Sequence, residues 1–228
     1  MRAPPDEATI LDARRALAAA DPALARLDGE IAPFAWRTRA GGFAGLVRMI
    51  LGQQVSVIAA DAMWTRLSDA CEGEVTPERL VALSDADLKV CGFSGQKMRY
   101  ARAMAEAERT GLIDFAGLPQ LSDEAAIEAL TTLLGVGRWT AEIYLMMAEG
   151  RLDAFPAGDI AVQEAIRWLD RLAARPAPDQ AYARAERWRP HRAVATHMLW
   201  AWYMAVKAGE MAHPLGETSR ARTVGVGA

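Results

Sequence analysis

The chain has 228 residues, 52% of them hydrophobic and 24% charged, and a formal charge of −3. That supports one substantial core or two small lobes, and it excludes a disordered chain. The longest apolar run, residues 198–206, falls well short of the ~20 residues that span a bilayer. The start, MRAPPDEAT, has no apolar signal region, so a cytoplasmic protein with no membrane role is expected. Two cysteines (Cys71, Cys91) and three histidines (His191, His197, His213) stand at no ligand spacing. No structural zinc, iron–sulfur cluster or other metal site is expected from them.

In chain order the predicted elements are nearly all helical. The first strong pattern is residues 43–60, with Phe43, Leu46, Val47, Ile50 and Leu51 at helical spacing. Inside it lies LGQQVS, where Gly52 precedes two uncharged amides, Gln53 and Gln54. Glycine costs about 1 kcal/mol relative to alanine inside a helix. The run therefore either breaks there or carries two solvated helix-end glutamines. Further helix starts are marked by Thr76 before Pro77, by Ser84 with Asp87 as a capping box, by Ser94 and by Ser122. Gly111 and Gly209 are expected stops. No sustained strand alternation and no repeat of 20–50 residues is present. The expectation is an all-α chain of roughly ten helices.

The segment from 130 to 170 holds more chemistry. Gly135-Val136-Gly137 separates two helical patterns, which predicts a tight hairpin with Val136 turned inward. The second helix then starts near Arg138, and its first N–H groups can hold a phosphate oxygen. Taken alone, GVG is an ordinary turn. Asp159 directly precedes the helical pattern IAVQEAIRWLD, and taken alone it reads as an N-cap. Net charge argues mildly against a nucleic-acid partner. The distribution is more informative. Of 26 basic residues only Lys89, Lys97 and Lys207 are lysines, and arginines cluster in 97–102 and 184–192. Such patches can steer DNA or RNA, or simply solvate helix faces.

Three blocks together, ILGQQVSVIAA, LLGVGRWTAEIYLM and DAFPAGDIAVQ, resemble the helix-hairpin-helix base-excision DNA glycosylases, in particular the compact AlkA-like 3-methyladenine type II branch. The resemblance runs from about Leu17 to Lys207. It implies an all-α, two-lobed fold with a cleft between the lobes. One lobe would be 40–148, with the helix-hairpin-helix at 122–148; the other would be 1–39 with 149–212, and 213–228 would be a flexible tail.

The resemblance also implies roles. Asp159 would be the catalytic carboxylate, Trp139 and Trp200 the base-pocket aromatics, and Gln54 the wedge in the DNA stack, with Gln53 supporting the loop. Gly135, Gly137 and Arg138 would hold DNA phosphate. The implied partner is double-stranded DNA carrying damaged bases, met by a monomer. No cofactor is required, although relatives hold an alkali ion, sodium or potassium, among the hairpin carbonyls.

Two departures stand out. Leu134 occupies a place where the family often has proline. Bifunctional relatives carry a lysine two residues beyond the second hairpin glycine, and here that residue is Trp139. This argues for hydrolysis by water rather than lyase action through an amine. The expected activity is monofunctional release of alkylated purines of the 3-methyladenine and 7-methylguanine type. Two alternatives remain: a glycosylase of the same fold for deaminated or other lesions, and a non-catalytic helix-hairpin-helix DNA-binding protein.

Overall fold

A computed structural model describes residues 3–216, and among them there are twelve α-helices, two short 3₁₀ turns and no strand. The chain divides into two units. One holds Trp36–Pro156 with the start of the chain up to Asp6; the other holds Glu7–Ala35 and the residues from Ala157 onward. The unit boundaries therefore fall at 35/36 and 156/157, where 39/40 and 148/149 were expected. The start of the chain also joins the first unit, because a Cβ on Gly150 would sit only 2.8 Å from the Ala3 carbonyl oxygen.

The second unit begins with α1 (Glu7–Ala20) and α2 (Pro22–Glu30). Asp21 caps α2 by accepting from the Ala23 N–H at 2.9 Å, and Pro22 stands at the first helical position, where its missing N–H costs nothing. The first unit supplies α3 (Gly42–Gly52), α4 (Val57–Ala70), α5 (Pro77–Ala82), α6 (Asp85–Val90), α7 (Gly95–Arg109), α8 (Asp123–Thr131) and α9 (Arg138–Glu149). The second unit then closes with α10 (Ile160–Leu169), α11 (Pro178–Ala185) and α12 (Arg192–Ala208).

The predicted starts hold: Thr76, Ser84, Ser94 and Ser122 each accept from the backbone N–H three residues on, and Ser84 and Asp87 form the full capping box. Gly209 ends α12 in the left-handed region, and Gly111 has φ +73° just past α7. The helix count exceeds ten because apolar runs that looked continuous are broken by loops. The clearest case is 43–60. It splits into α3 and α4 around Gln53 to Ser56, and Ser56 caps α4 by accepting from the Ala59 N–H at 3.2 Å.

In the first unit, α3 packs on α4, α7 and α9, and α8 packs on α9. Leu46, Val47, Ile50, Leu51, Met104, Leu130, Tyr144 and Leu145 are all buried. The Gly42 N–H donates to the Tyr144 hydroxyl at 2.7 Å, tying the start of α3 to the middle of α9. Burial pushes that phenol up to about 12. Arg151, almost wholly buried, pairs with Glu149 and Asp123 at 2.8 Å and donates to the carbonyls of Leu118 and Leu121. It thereby locks the end of α9 to the start of α8.

In the second unit, α12 packs on α10, α1 and α2. The Trp188 indole donates to Asp21 Oδ2 at 2.8 Å, and Arg184 forms ion pairs with Asp21 and Asp170 at 2.6 Å. His213, at the start of the expected flexible tail, lies edge-on to Trp168 with ring centroids 5.0 Å apart. The tail's remaining residues, 217–228, lie outside the described residues.

Candidate nucleic-acid interface and active site

The hairpin is built as its composition demands, and its two glycines are there for different reasons. Gly135 has φ +89°, and a Cβ on it would lie 2.3 Å from the Tyr100 ring. Only glycine fits. Val136 is buried, and its N–H donates to the Leu133 carbonyl at 3.1 Å. Gly137 has φ −87°, which any residue adopts, and a Cβ there would meet nothing within 4 Å. Packing therefore does not require this glycine. It caps α9 without a capping side chain, so the first turn of α9 presents its N–H dipoles past a bare backbone. Helix geometry gives first-turn N–H groups no intrahelical acceptor, and together they attract an anion.

Arg138, expected as a phosphate contact, is engaged within the hairpin. Its guanidinium binds Glu124 through both terminal nitrogens at 2.6 and 2.8 Å, and Glu142 through Nε at 3.0 Å. It bridges the two helices of the hairpin, and its charge is largely balanced there. The arginine cluster at 184–192 is likewise engaged within its own unit: Arg184 with Asp21 and Asp170, Arg189 and Arg192 with Glu186. Trp139, in the first turn of α9, keeps 40% of its surface exposed. Its indole is a large, partly solvated aromatic surface of the kind enriched at interfaces.

Gln54 sits in the loop between α3 and α4 with φ +59°, exposed to solvent. A non-glycine residue in that region costs of order 1–3 kcal/mol and is held only when its surroundings over-determine it. Gln53, less exposed, directs its amide nitrogen to the Thr140 hydroxyl at 3.5 Å. The contact links the loop to α9. Gln53, Gln54, Lys97, Tyr100 and Gly135 share the wall of one cavity of about 410 Å³.

Lys97 is what sequence reasoning missed. No lysine lies near the hairpin along the chain, yet this one stands in the same cavity wall as Gly135. Its Nζ donates to the Leu51 carbonyl at 2.6 Å, and burial pushes its ammonium below the ordinary lysine value. The only trace in the sequence is its membership of the basic cluster 97–102.

In the second unit the structure brings two predicted residues together. Asp159 Oδ1 accepts from the Ala161 and Val162 N–H groups at 3.0 Å each, so the N-cap reading is correct. The same oxygen accepts from the Trp200 indole N–H at 3.1 Å. Three donors on one oxygen fix the carboxylate's orientation. Trp200 is only 6% exposed and lies edge-on to His197, with ring centroids 5.5 Å apart. His197 is held in turn through Nδ1 to the Ala193 carbonyl at 2.8 Å and stacks on Phe34. A carbonyl can only accept, so Nδ1 carries the proton.

Residues 47–190 match the model of the HhH-GPD superfamily base excision DNA repair protein. The chain is 32% identical over 180 residues to DNA-3-methyladenine glycosylase 1 of Schizosaccharomyces pombe, a match covering 78% of this chain and 79% of the relative. Among solved structures, a 3-methyladenine DNA glycosylase of Schizosaccharomyces pombe in complex with abasic DNA superposes with a TM-score of 0.73 at 30% identity, covering 89% of this chain and 98% of that one. A DNA-3-methyladenine glycosidase from Bacillus halodurans gives 0.78 at 30% identity, over 90% and 94% of the two chains. With the bare hairpin, the capped aspartate and these matches together, the chain belongs to the HhH-GPD superfamily of base excision DNA repair proteins.

Proposed function

We propose that this protein is a monofunctional DNA glycosylase that flips alkylated purines out of duplex DNA and hydrolyses their N-glycosidic bond, acting as a cytoplasmic monomer. The observation that carries this reading is the Asp159 carboxylate, oriented by three N–H donors. A residue serving only as a helix cap needs no tryptophan side chain on the same oxygen.

The reaction follows from the chemistry of the bond. Base departure leaves positive charge on the sugar, as in other glycosidic cleavages. A fixed carboxylate stabilises that charge without reorganising, and Asp159 then orients the water whose oxygen closes on the sugar carbon as one of its protons passes to the Asp159 carboxylate and on to solvent. A purine alkylated at N3 or N7 is already cationic, so it leaves with the bonding pair and needs no acid to protonate it. Trp139 offers its exposed face to the cationic ring, a contact worth about 0.5–2 kcal/mol. The family's relatives carry alkyladenine names, which favours this lesion class over deaminated bases.

Duplex DNA is engaged through its backbone at Gly137 and the first turn of α9. Sodium or potassium among the hairpin carbonyls would add to the positive field there, and carbonyl oxygen is a suitable donor for a hard cation. Gln54 fills the vacated stack, whose opening costs a few kcal/mol. Incubating the protein with methylated duplex DNA tests the reading: free methylpurines and alkali-labile abasic sites are expected. Strand cleavage without alkali would contradict the monofunctional assignment.

A further inference from the structure

The loop that carries Gln54 has to be held in a conformation that its sequence disfavours. Gln54 is left-handed at φ +59°, and no glycine stands at that position to relieve it. Gly52 ends α3 two residues too early to help. Something must therefore pin the loop from outside.

Two contacts do so. The last carbonyls of any helix lack an intrahelical donor. At the end of α3 the Gln53 N–H takes the Ile50 carbonyl at 3.2 Å, and the Lys97 ammonium takes the Leu51 carbonyl at 2.6 Å. A cation at a helix C-terminus is also favoured by the helix dipole. Lys97 is itself fixed, because it is the third residue of α7 and its N–H donates to the capping Ser94 hydroxyl at 3.3 Å. The second contact is the Gln53 amide on Thr140 at 3.5 Å. It is the weaker of the two, being at the limit of a hydrogen bond.

We propose that Lys97 is a positioning residue for the DNA wedge: its ammonium clamps the Leu51 carbonyl at the end of α3, and that clamp holds Gln54 in the conformation from which it enters the stack. This rests on the glycosylase reading above. The lysine is not the nucleophile of a lyase, since its amine is spent on a backbone carbonyl. A plain stability role for Lys97 makes a different prediction, because it would slow every substrate alike.

The test compares initial rates of methylpurine release from two duplexes, one with the lesion normally paired and one with the lesion facing an abasic site, where no partner base must be separated. The unaltered chain, K97M, K97Q, K97R, Q54A and the double variant K97M/Q54A are measured, with a thermal melt of each. K97M should slow release from the paired duplex about tenfold, the scale on which small misplacements act, and change the abasic-opposed duplex less than twofold. K97R should recover most of the loss. The double variant should be no slower than Q54A alone, the signature of two residues acting through one another. K97Q keeps a donor without the charge and is read in the same way if K97M does not fold. Losses that multiply in the double variant, or that fall equally on both duplexes, overturn the inference. So does K97M at the unaltered rate. If the unaltered chain releases no base at all, the glycosylase reading fails, and this inference with it.

Discussion

The Trp200 indole N–H lies 3.1 Å from Asp159 Oδ1, on the same oxygen that the Ala161 and Val162 N–H groups occupy. Trp200 is thereby bonded to the carboxylate proposed to act on the sugar, which a residue that only lines a pocket wall need not be. Trp200→Phe keeps an aromatic ring but removes the donor. A hydrogen bond to a charged group is worth about 1.5–3 kcal/mol, so kcat on methylated duplex should fall roughly 10- to 100-fold with KM within about twofold. A Trp200 that only walls the base pocket would instead raise KM and shift lesion preference.

The two hairpin glycines should separate under substitution. Gly135→Ala forces a Cβ into the Tyr100 ring at a positive φ, and should cost about 2 kcal/mol or more, lowering Tm by roughly 4–8 °C. Gly137→Ala meets open space, so its melt should match the unaltered chain. Its DNA affinity should nevertheless drop about tenfold, as the methyl obstructs the approach of a phosphate. Fluorescence anisotropy with labelled duplex, beside thermal melts, checks both.

Gln54 carries backbone strain at φ +59°. Gln54→Gly removes the left-handed penalty of about 1 kcal/mol and should raise Tm by a few degrees. It also removes the amide, and should slow release from paired duplex. A variant that is both more stable and equally active would mean that the side chain has no part in opening DNA.

Acid stability in the second unit should depend on Asp21. Burial pushes this carboxyl up, but hydrogen bonds from Arg184, Trp188 and the Ala23 N–H outweigh it, and its pKa lies below the ordinary 3.8. A depressed folded-state pKa contributes stability that is present above the unfolded value and lost as pH falls through the folded one. Asp21→Asn leaves Arg184 without one partner and should cost about 3–5 kcal/mol at neutral pH. The gap between variant and unaltered protein should narrow below about pH 3.8. Melts from pH 7 to 3 give the answer.

Much of this was legible in the residues. Capping serines and glycine stops are local signals, and Thr76, Ser84, Ser94 and Ser122 all start helices where the pattern puts them. LGQQVS was legible only as a place where the run could break, because glycine and two amides sit badly in a buried helical stripe; the residues alone left solvated helix-end glutamines as the other reading, and the structure breaks the run there. Pairing at long range was not. Nothing along the chain places Lys97 in the same cavity wall as Gly135, or the Trp200 indole on Asp159, because helix packing brings together segments roughly 40 residues apart. Arg138 shows the same limit. Beside the hairpin turn it reads as a phosphate contact, and only the fold reveals that it also pairs with Glu124.

The most direct measurement is base release by Asp159→Asn. The amide keeps the size of the side chain and its cap on α10 through the remaining carbonyl oxygen, but it removes the negative charge that the proposed reaction sets against the developing cation. Binding of a lesion-containing duplex should stay within a few-fold of the unaltered protein, while release of methylpurines falls by at least about 10³-fold, the scale of losing one preorganised electrostatic group. Methylpurine release by Asp159→Asn at the normal rate would contradict the account.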